Sequence, residues 1–347
     1  MITLTTIKID FQRRQEIKSI VLSALQRIDA SLPVKIKKLC KSYPNIRLIP
    51  YSEHMRRYHL SYEEMKNFCG TADSCADYYA KSDRYIIYYN DIDTVRIVNS
   101  NRYRWNIAHE LGHISLSHLK LNKNTRIYRS SLSETEYNYL EAEADYFAQL
   151  ILVPHAVLSG FRINSPNNIR YMCKISDPAS KRRYYEYIEW KSHISSKDEY
   201  DRMIFYYFFD FIYKRKCTKC GASLIQRYGK YCPICGSKNS LQWGDGKMIY
   251  KRLETYDNGK LKECPICQNE ETNIEGDFCQ ICGTSLVNHC SNEDCLNSDP
   301  LPSNARYCPI CGARSTFYRA NIILDWNAPE DPFMTIPDGI DEELPFN

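Results

Sequence analysis

The chain has 347 residues, 43% of them hydrophobic and 25% charged, which is enough for more than one core and excludes a disordered or collagen-like polymer. No run approaches the ~18 consecutive apolar residues of a membrane span; the nearest, Met203 to Tyr213, is short and contains Asp210. The formal charge is +4 and there are 16 cysteines; because MITLTTIKIDFQRRQ lacks the layout of an export signal, a reducing cytoplasm is expected, where so many thiols point to metal rather than disulfides.

In chain order, Glu16 to Ile28 carries Ile17, Ile20, Val21, Leu25 and Ile28 on one face and predicts a helix. A short helix is expected after Pro33, and Tyr85 to Tyr89 reads as a strand followed by a turn at Asn90-Asp91. From Tyr103 to Ser117 apolar residues fall nearly all round a helix, the mark of burial. A second long helix opens at Ser133, whose pairing with Glu136 forms a capping box, and stops before Pro154. Its core stripe is Leu140, Ala144, Phe147, Ala148 and Ile151. Residues 166 to 215 read as helical again, ending in the aromatic stretch MIFYYFFDFIYKRK, expected to join the two halves.

Twelve of the cysteines lie between Cys217 and Cys311. Cys217 and Cys220 are followed by Cys232 and Cys235, and Cys264 and Cys267 by Cys279 and Cys282, with eleven residues between the pairs each time. Cys290, Cys295, Cys308 and Cys311 form a looser third copy, so the region is an internal repeat. Each Cys-x-x-Cys knuckle supplies two sulfurs and two knuckles supply the tetrahedral site that zinc prefers, which predicts three structural zinc ions. His289, beside Cys290, is an alternative ligand. Counting twelve thiolates, three such ions and one further zinc takes the +4 to about zero. Overall charge therefore gives no hold on nucleic acid, although Lys214, Arg215, Lys216, Lys219, Arg227 and Lys230 leave the first ribbon locally basic. Cys40, Cys69, Cys75 and Cys173 are expected to be reduced and partly buried. Beyond Arg319, Ala320 to Trp326 reads as strand-like and DEELPFN as a flexible acidic tail.

The sharpest signal is His109-Glu110-Leu111-Gly112-His113. Histidines four apart share a helix face and can reach one zinc, while a carboxylate beside them can take a proton from a water attacking a carbonyl. A third ligand is needed. His118, nine residues after His109, falls on the opposite side of a continuing helix and is set aside. The second helix offers Glu141, with Asp145 on the same face to orient a histidine, and Glu143 as the rival ligand.

RWNIAHELGHISLSH followed by EAEADYFAQLILVP resembles the ImmA/IrrE family of metallopeptidases, as do the flanking LPVKIKKLC, YIIYY and ISDPASKRRYYEYI, over about residues 15 to 190. The resemblance implies zinc on His109, His113 and a glutamate of the second helix, with Glu110 as general base. It further implies a bacterial or mobile-element protein that cleaves a helix-turn-helix repressor. The expected fold is α+β: a mainly helical, zincin-like domain with a small sheet over 1–195, then an aromatic connecting helix at 196–216. Three small β-rich ribbons follow at 217–240, 241–288 (with a β-hairpin) and 289–318, and the tail is 319–347. The expected function is a zinc-dependent endopeptidase with one catalytic and three structural zinc ions, its ribbons recognising a protein partner or touching nucleic acid, with no membrane association. The alternative is a non-catalytic regulatory zinc protein that binds protein or nucleic acid through its ribbons.

Overall fold

A computed structural model describes residues 9–92, 101–120, 126, 132–193 and 198–328. The chain divides into two compact units between Ile212 and Tyr213. The fold is α+β: mostly helical with small sheets, followed by three four-cysteine clusters in small β-containing regions.

The first unit begins with α1 (Phe11–Leu25), capped by Asp10, whose carboxylate accepts from the Arg13 N–H. Ile17, Val21, Leu22, Ala24 and Leu25 form its buried face, which packs against later helices. After α2 (Ile36–Lys41) comes a three-stranded sheet of β1 (Ile46–Pro50), β2 (Ser74–Tyr79) and β3 (Arg84–Tyr89), with α3 (Tyr51–Tyr58) and α4 (Tyr62–Cys69) between the first two strands. The strand order is β1-β3-β2, β1 running parallel to β3 and β2 antiparallel to it. The central strand, the one legible in the sequence, buries Tyr85, Ile87, Tyr88 and Tyr89.

Two long helices follow, α5 (Arg102–Ser115), which packs on the sheet, and α6 (Glu134–Leu152), which packs on α5 and α1. α5 packs on β2, β3 and α6, so it is enclosed on most sides, as its all-round apolar pattern requires. The capping box at Ser133 forms as expected, with Glu136 accepting from Ser133 N–H and Oγ. The pair lies close together at Gly112, where an added Cβ would stand 3.1 Å from the Ala144 backbone and 3.2 Å from the Phe147 ring. α7 (His155–Leu158), α8 (Pro166–Cys173), α9 (Asp177–Ser192), α10 (Glu199–Tyr207) and α11 (Phe209–Tyr213) complete the helical part. The aromatic stretch packs within the first unit, α10 against α1 and α7 with Tyr200 and Ile204 buried, and α11 leads directly into the second unit. The isolated thiols Cys40, Cys69, Cys75 and Cys173 are all buried and free.

In the second unit β4 (Lys214–Cys217) lies between β5 (Ser223–Ile225) and β6 (Leu241–Trp243), all antiparallel. Residues 241–248 therefore complete the first ribbon rather than forming a hairpin with the second; the Met248 carbonyl also accepts from Ser223 N–H at 2.8 Å. The run from Ala320 to Trp326 is not a strand but turns following α12 (Thr316–Arg319). Its apolar residues are used for packing: Phe317 is fully buried in the core of the second ribbon, where Ile322 and Ile323 join it, and Trp326 covers the cysteine cluster of the first. DEELPFN lies outside the described residues.

Candidate metal centre

His109 and His113 project from one face of α5 and meet Glu141 of α6; the three side chains offer ligand atoms that all lie within 4.8 Å of one another. The two Nε2 atoms are 3.0 Å apart, and the Glu141 oxygens stand 3.3 Å from His109 Nε2 and 3.4 Å from His113 Nε2. Ligands at the usual Zn–N and Zn–O lengths in tetrahedral array would be separated by about 3.3 Å.

The outer hydrogen bonds explain which nitrogen faces inward. Asp145 Oδ1 accepts from His109 Nδ1 at 3.0 Å, leaving Nε2 with its lone pair. On the other side Arg13 makes a two-pronged ion pair with Glu143, at 2.6 Å and 2.8 Å. Glu143 Oε2 accepts from His118 Nε2 at 2.8 Å, and His118 Nδ1 then accepts from His113 Nδ1 at 2.9 Å. That direction requires a neutral His118, and burial does push its pKa down despite Glu143. Two bare nitrogens and a carboxylate thus converge with no donor between them, an arrangement that repels itself unless a cation sits there. The same demand appears in the titration: burial opposes charge on His109, yet Asp145 and Glu141 hold its pKa up at about 10. Burial would raise Glu141, but the His109 and His113 imidazoles beside it keep it well below the usual carboxylate range.

Glu143, the rival ligand, is turned away to Arg13 and His118, which hold it down at about 2 against its burial. His118 stays out of the cluster, though the expected reason differs from the actual one. α5 does not continue: Ser117 takes a left-handed φ of 62° and folds His118 back under His113. Neither the relay from Arg13 nor this turn was visible in the sequence. Glu110 is 8% exposed, and its Oε1 accepts from Ser74 Oγ at 2.8 Å, a partner supplied by the first residue of β2. Glu110, Ser74, His109, His113 and Glu141 open onto a cleft of about 930 Å³, also lined by Asn106, Arg126 and Tyr137. Arg126 is fixed at its edge by a two-pronged pair with Asp77, at 2.6 Å and 2.9 Å.

In each of the three cysteine tetrads the four sulfurs lie within 4.8 Å of one another. Sγ–Sγ separations across the knuckles are 3.6 Å and 3.7 Å in the first, 3.5 Å and 3.6 Å in the second, 3.4 Å and 3.8 Å in the third. Four sulfurs at the Zn–S length would be spaced by about 3.8 Å, whereas a disulfide needs about 2 Å. In the first tetrad the Cys232 thiol lowers Cys220 to about 5, and in the second the Cys282 N–H lowers Cys279 to about 6. His289 takes no sulfur's place; Cys290 completes the third tetrad and His289 Nε2 lies 3.7 Å from Asp277.

Fold and site together define a metallopeptidase architecture joined to metal-binding ribbons. Residues 70–169, from the end of α4 to α8, match the family Peptidase_M78, described as the IrrE N-terminal-like domain. The match spans the part of the first unit that holds both long helices and supports a metallopeptidase domain of the ImmA/IrrE kind there. No curated protein matches the chain.

Proposed function

We propose that this chain is a zinc-dependent endopeptidase that cuts a helix-turn-helix repressor in a stress or mobile-element response, with its ribbons recognising the partner. The observation that supports the peptidase reading best is the convergence of His109 Nε2, His113 Nε2 and Glu141 with Glu110 in the same cleft. In this reading His109, His113 and Glu141 hold zinc, and Asp145 orients His109. Bound there, zinc would polarise a peptide carbonyl and make water acidic enough to attack near neutral pH. Glu110 takes the proton from the attacking water and returns it to the leaving amine. Ser74 keeps the Glu110 carboxylate aimed by occupying Oε1, so Oε2 is the oxygen that carries the proton.

The test is incubation of the zinc-loaded chain and its Glu110→Gln form with helix-turn-helix regulators. Cleavage by the first alone, with equal zinc in both, is expected; equal cleavage by both would remove Glu110 from this role. A second reading, nucleic-acid binding, is favoured by the first ribbon, where Arg227 stacks on the exposed Tyr228 and Lys214 on the half-exposed Trp243. Salt-dependent binding of a single-stranded oligonucleotide, without cleavage of any regulator, is the result that reading expects.

A further inference from the structure

The second knuckles of the three tetrads are copies of one another: Tyr231-Cys232-Pro233-Ile234-Cys235-Gly236, Phe278-Cys279-Gln280-Ile281-Cys282-Gly283 and Tyr307-Cys308-Pro309-Ile310-Cys311-Gly312. They also fold alike. In each, the N–H of the first cysteine donates to the residue after the glycine, Ser237, Thr284 or Ala313, and the glycine N–H returns to that cysteine's carbonyl at 2.8–2.9 Å.

Two of the three are paired. The N–H groups of Lys230 and Tyr231 donate to the Pro309 carbonyl at 2.9 Å and 3.1 Å, and those of Arg306 and Tyr307 donate to the Pro233 carbonyl at 2.7 Å and 3.0 Å. Each tyrosine ring lies on the opposite glycine: a Cβ on Gly236 would stand 2.9 Å from the Tyr307 ring, and one on Gly312 would stand 2.6 Å from the Tyr231 ring. The exchange of bonds and ring contacts is reciprocal, as across a twofold axis, while the two isoleucines differ, Ile234 being 1% exposed in its own ribbon's core and Ile310 37%.

The knuckle of the second ribbon has the same parts and no mate. Phe278 is 62% exposed and Ile281 73%, a Cβ on Gly283 would meet nothing within 4 Å, and among the described residues no hydrogen bond engages the Phe278 N–H or the Gln280 carbonyl. Ile266, 61% exposed on the ribbon's first knuckle, adds to the apolar surface.

We propose that this knuckle is a self-pairing surface whose occupant is the same knuckle of a second copy of the chain. A motif that pairs reciprocally with a near-copy of itself is self-complementary, and two identical knuckles about a twofold axis repeat the same four bonds and two ring-on-glycine contacts. The contact repeats the interface already formed by the first and third ribbons. One knuckle pair is well below the ~1,200 Å² of a standard stable interface. Five acids against two lysines between Lys260 and Leu286 add repulsion. The dimer is therefore weak, reversible and strengthened by salt. This inference does not depend on the peptidase reading.

Sedimentation of the zinc-loaded full chain from low to high micromolar concentration tests it. The expected result is a monomer–dimer equilibrium that tightens with salt and moves at least tenfold to higher concentration in Phe278→Ser and Ile281→Ser. Leu296→Ser, at a still more exposed site off the knuckle, leaves the equilibrium unchanged. In the unaltered chain, hydrogen exchange at Asp277 and Phe278 slows as concentration rises. A monomer throughout, a dimer unmoved by both knuckle variants, or exchange at these amides independent of concentration would overturn the proposal.

Discussion

The α5 histidines are governed by residues they do not adjoin in sequence. His113 presents Nε2 because its other nitrogen donates to His118, which is held in turn by Glu143 and Arg13. Replacing His118 by Phe keeps the shape of the buried site but removes the acceptor. The expected outcome is a roughly 10–100-fold loss of affinity at this one metal site, read by chelator competition, with the ribbon metals retained. Asp145 could be read from the sequence because a four-residue spacing fixes a helix face. His118 could not, because its place depends on the left-handed Ser117, and Ser74 could not, because it comes from a strand 36 residues away.

His155 gives a pH prediction of its own. Burial, with help from Arg183, lowers it to about 4, and its Nε2 has no partner. A folded-state pKa below the unfolded ~6.5 means that stability is intact above pH ~6.5 and falls as the pH drops toward 4, by up to about 3 kcal/mol. His155→Phe is expected to flatten that acid limb, seen as a stability difference from the parent chain that changes across this window and is constant above it.

At the scale of elements, the site is a crossing of two helices, and Gly112 sets its depth. With the Ala144 backbone 3.1 Å from a Cβ there, Gly112→Val must lift α6 and carry Glu141 away from the histidines. Loss of the α5 metal together with a destabilisation of about 1–3 kcal/mol is expected, measured by metal content and denaturant unfolding. Both long helices and the central strand were legible because their periodicity and caps are local. β2, Ser74-Cys75-Ala76-Asp77-Tyr78-Tyr79, was not: its first four residues are all buried, so it shows no alternation.

At the scale of the molecule, the cysteine spacing was enough to foretell three tetrads, because ligand sets this short are nearly closed by their own turns. Metal analysis is expected to return about four zinc per chain, and three after replacement of both His109 and His113. Two or fewer in the intact chain would contradict the tetrads. Spacing gave no hint of which ribbons pair, since the first and third meet across the one between them.

The short segment after the last cysteine has a consequence for assembly. Phe317 seals the second ribbon and Trp326 covers the first, yet both are synthesised after all twelve thiols. Metal capture can therefore run ahead of closure during translation. A form with every sulfur in place but without Phe317 and Trp326 would still have an open apolar floor, so metal capture and closure of the ribbons rest on different parts of the chain.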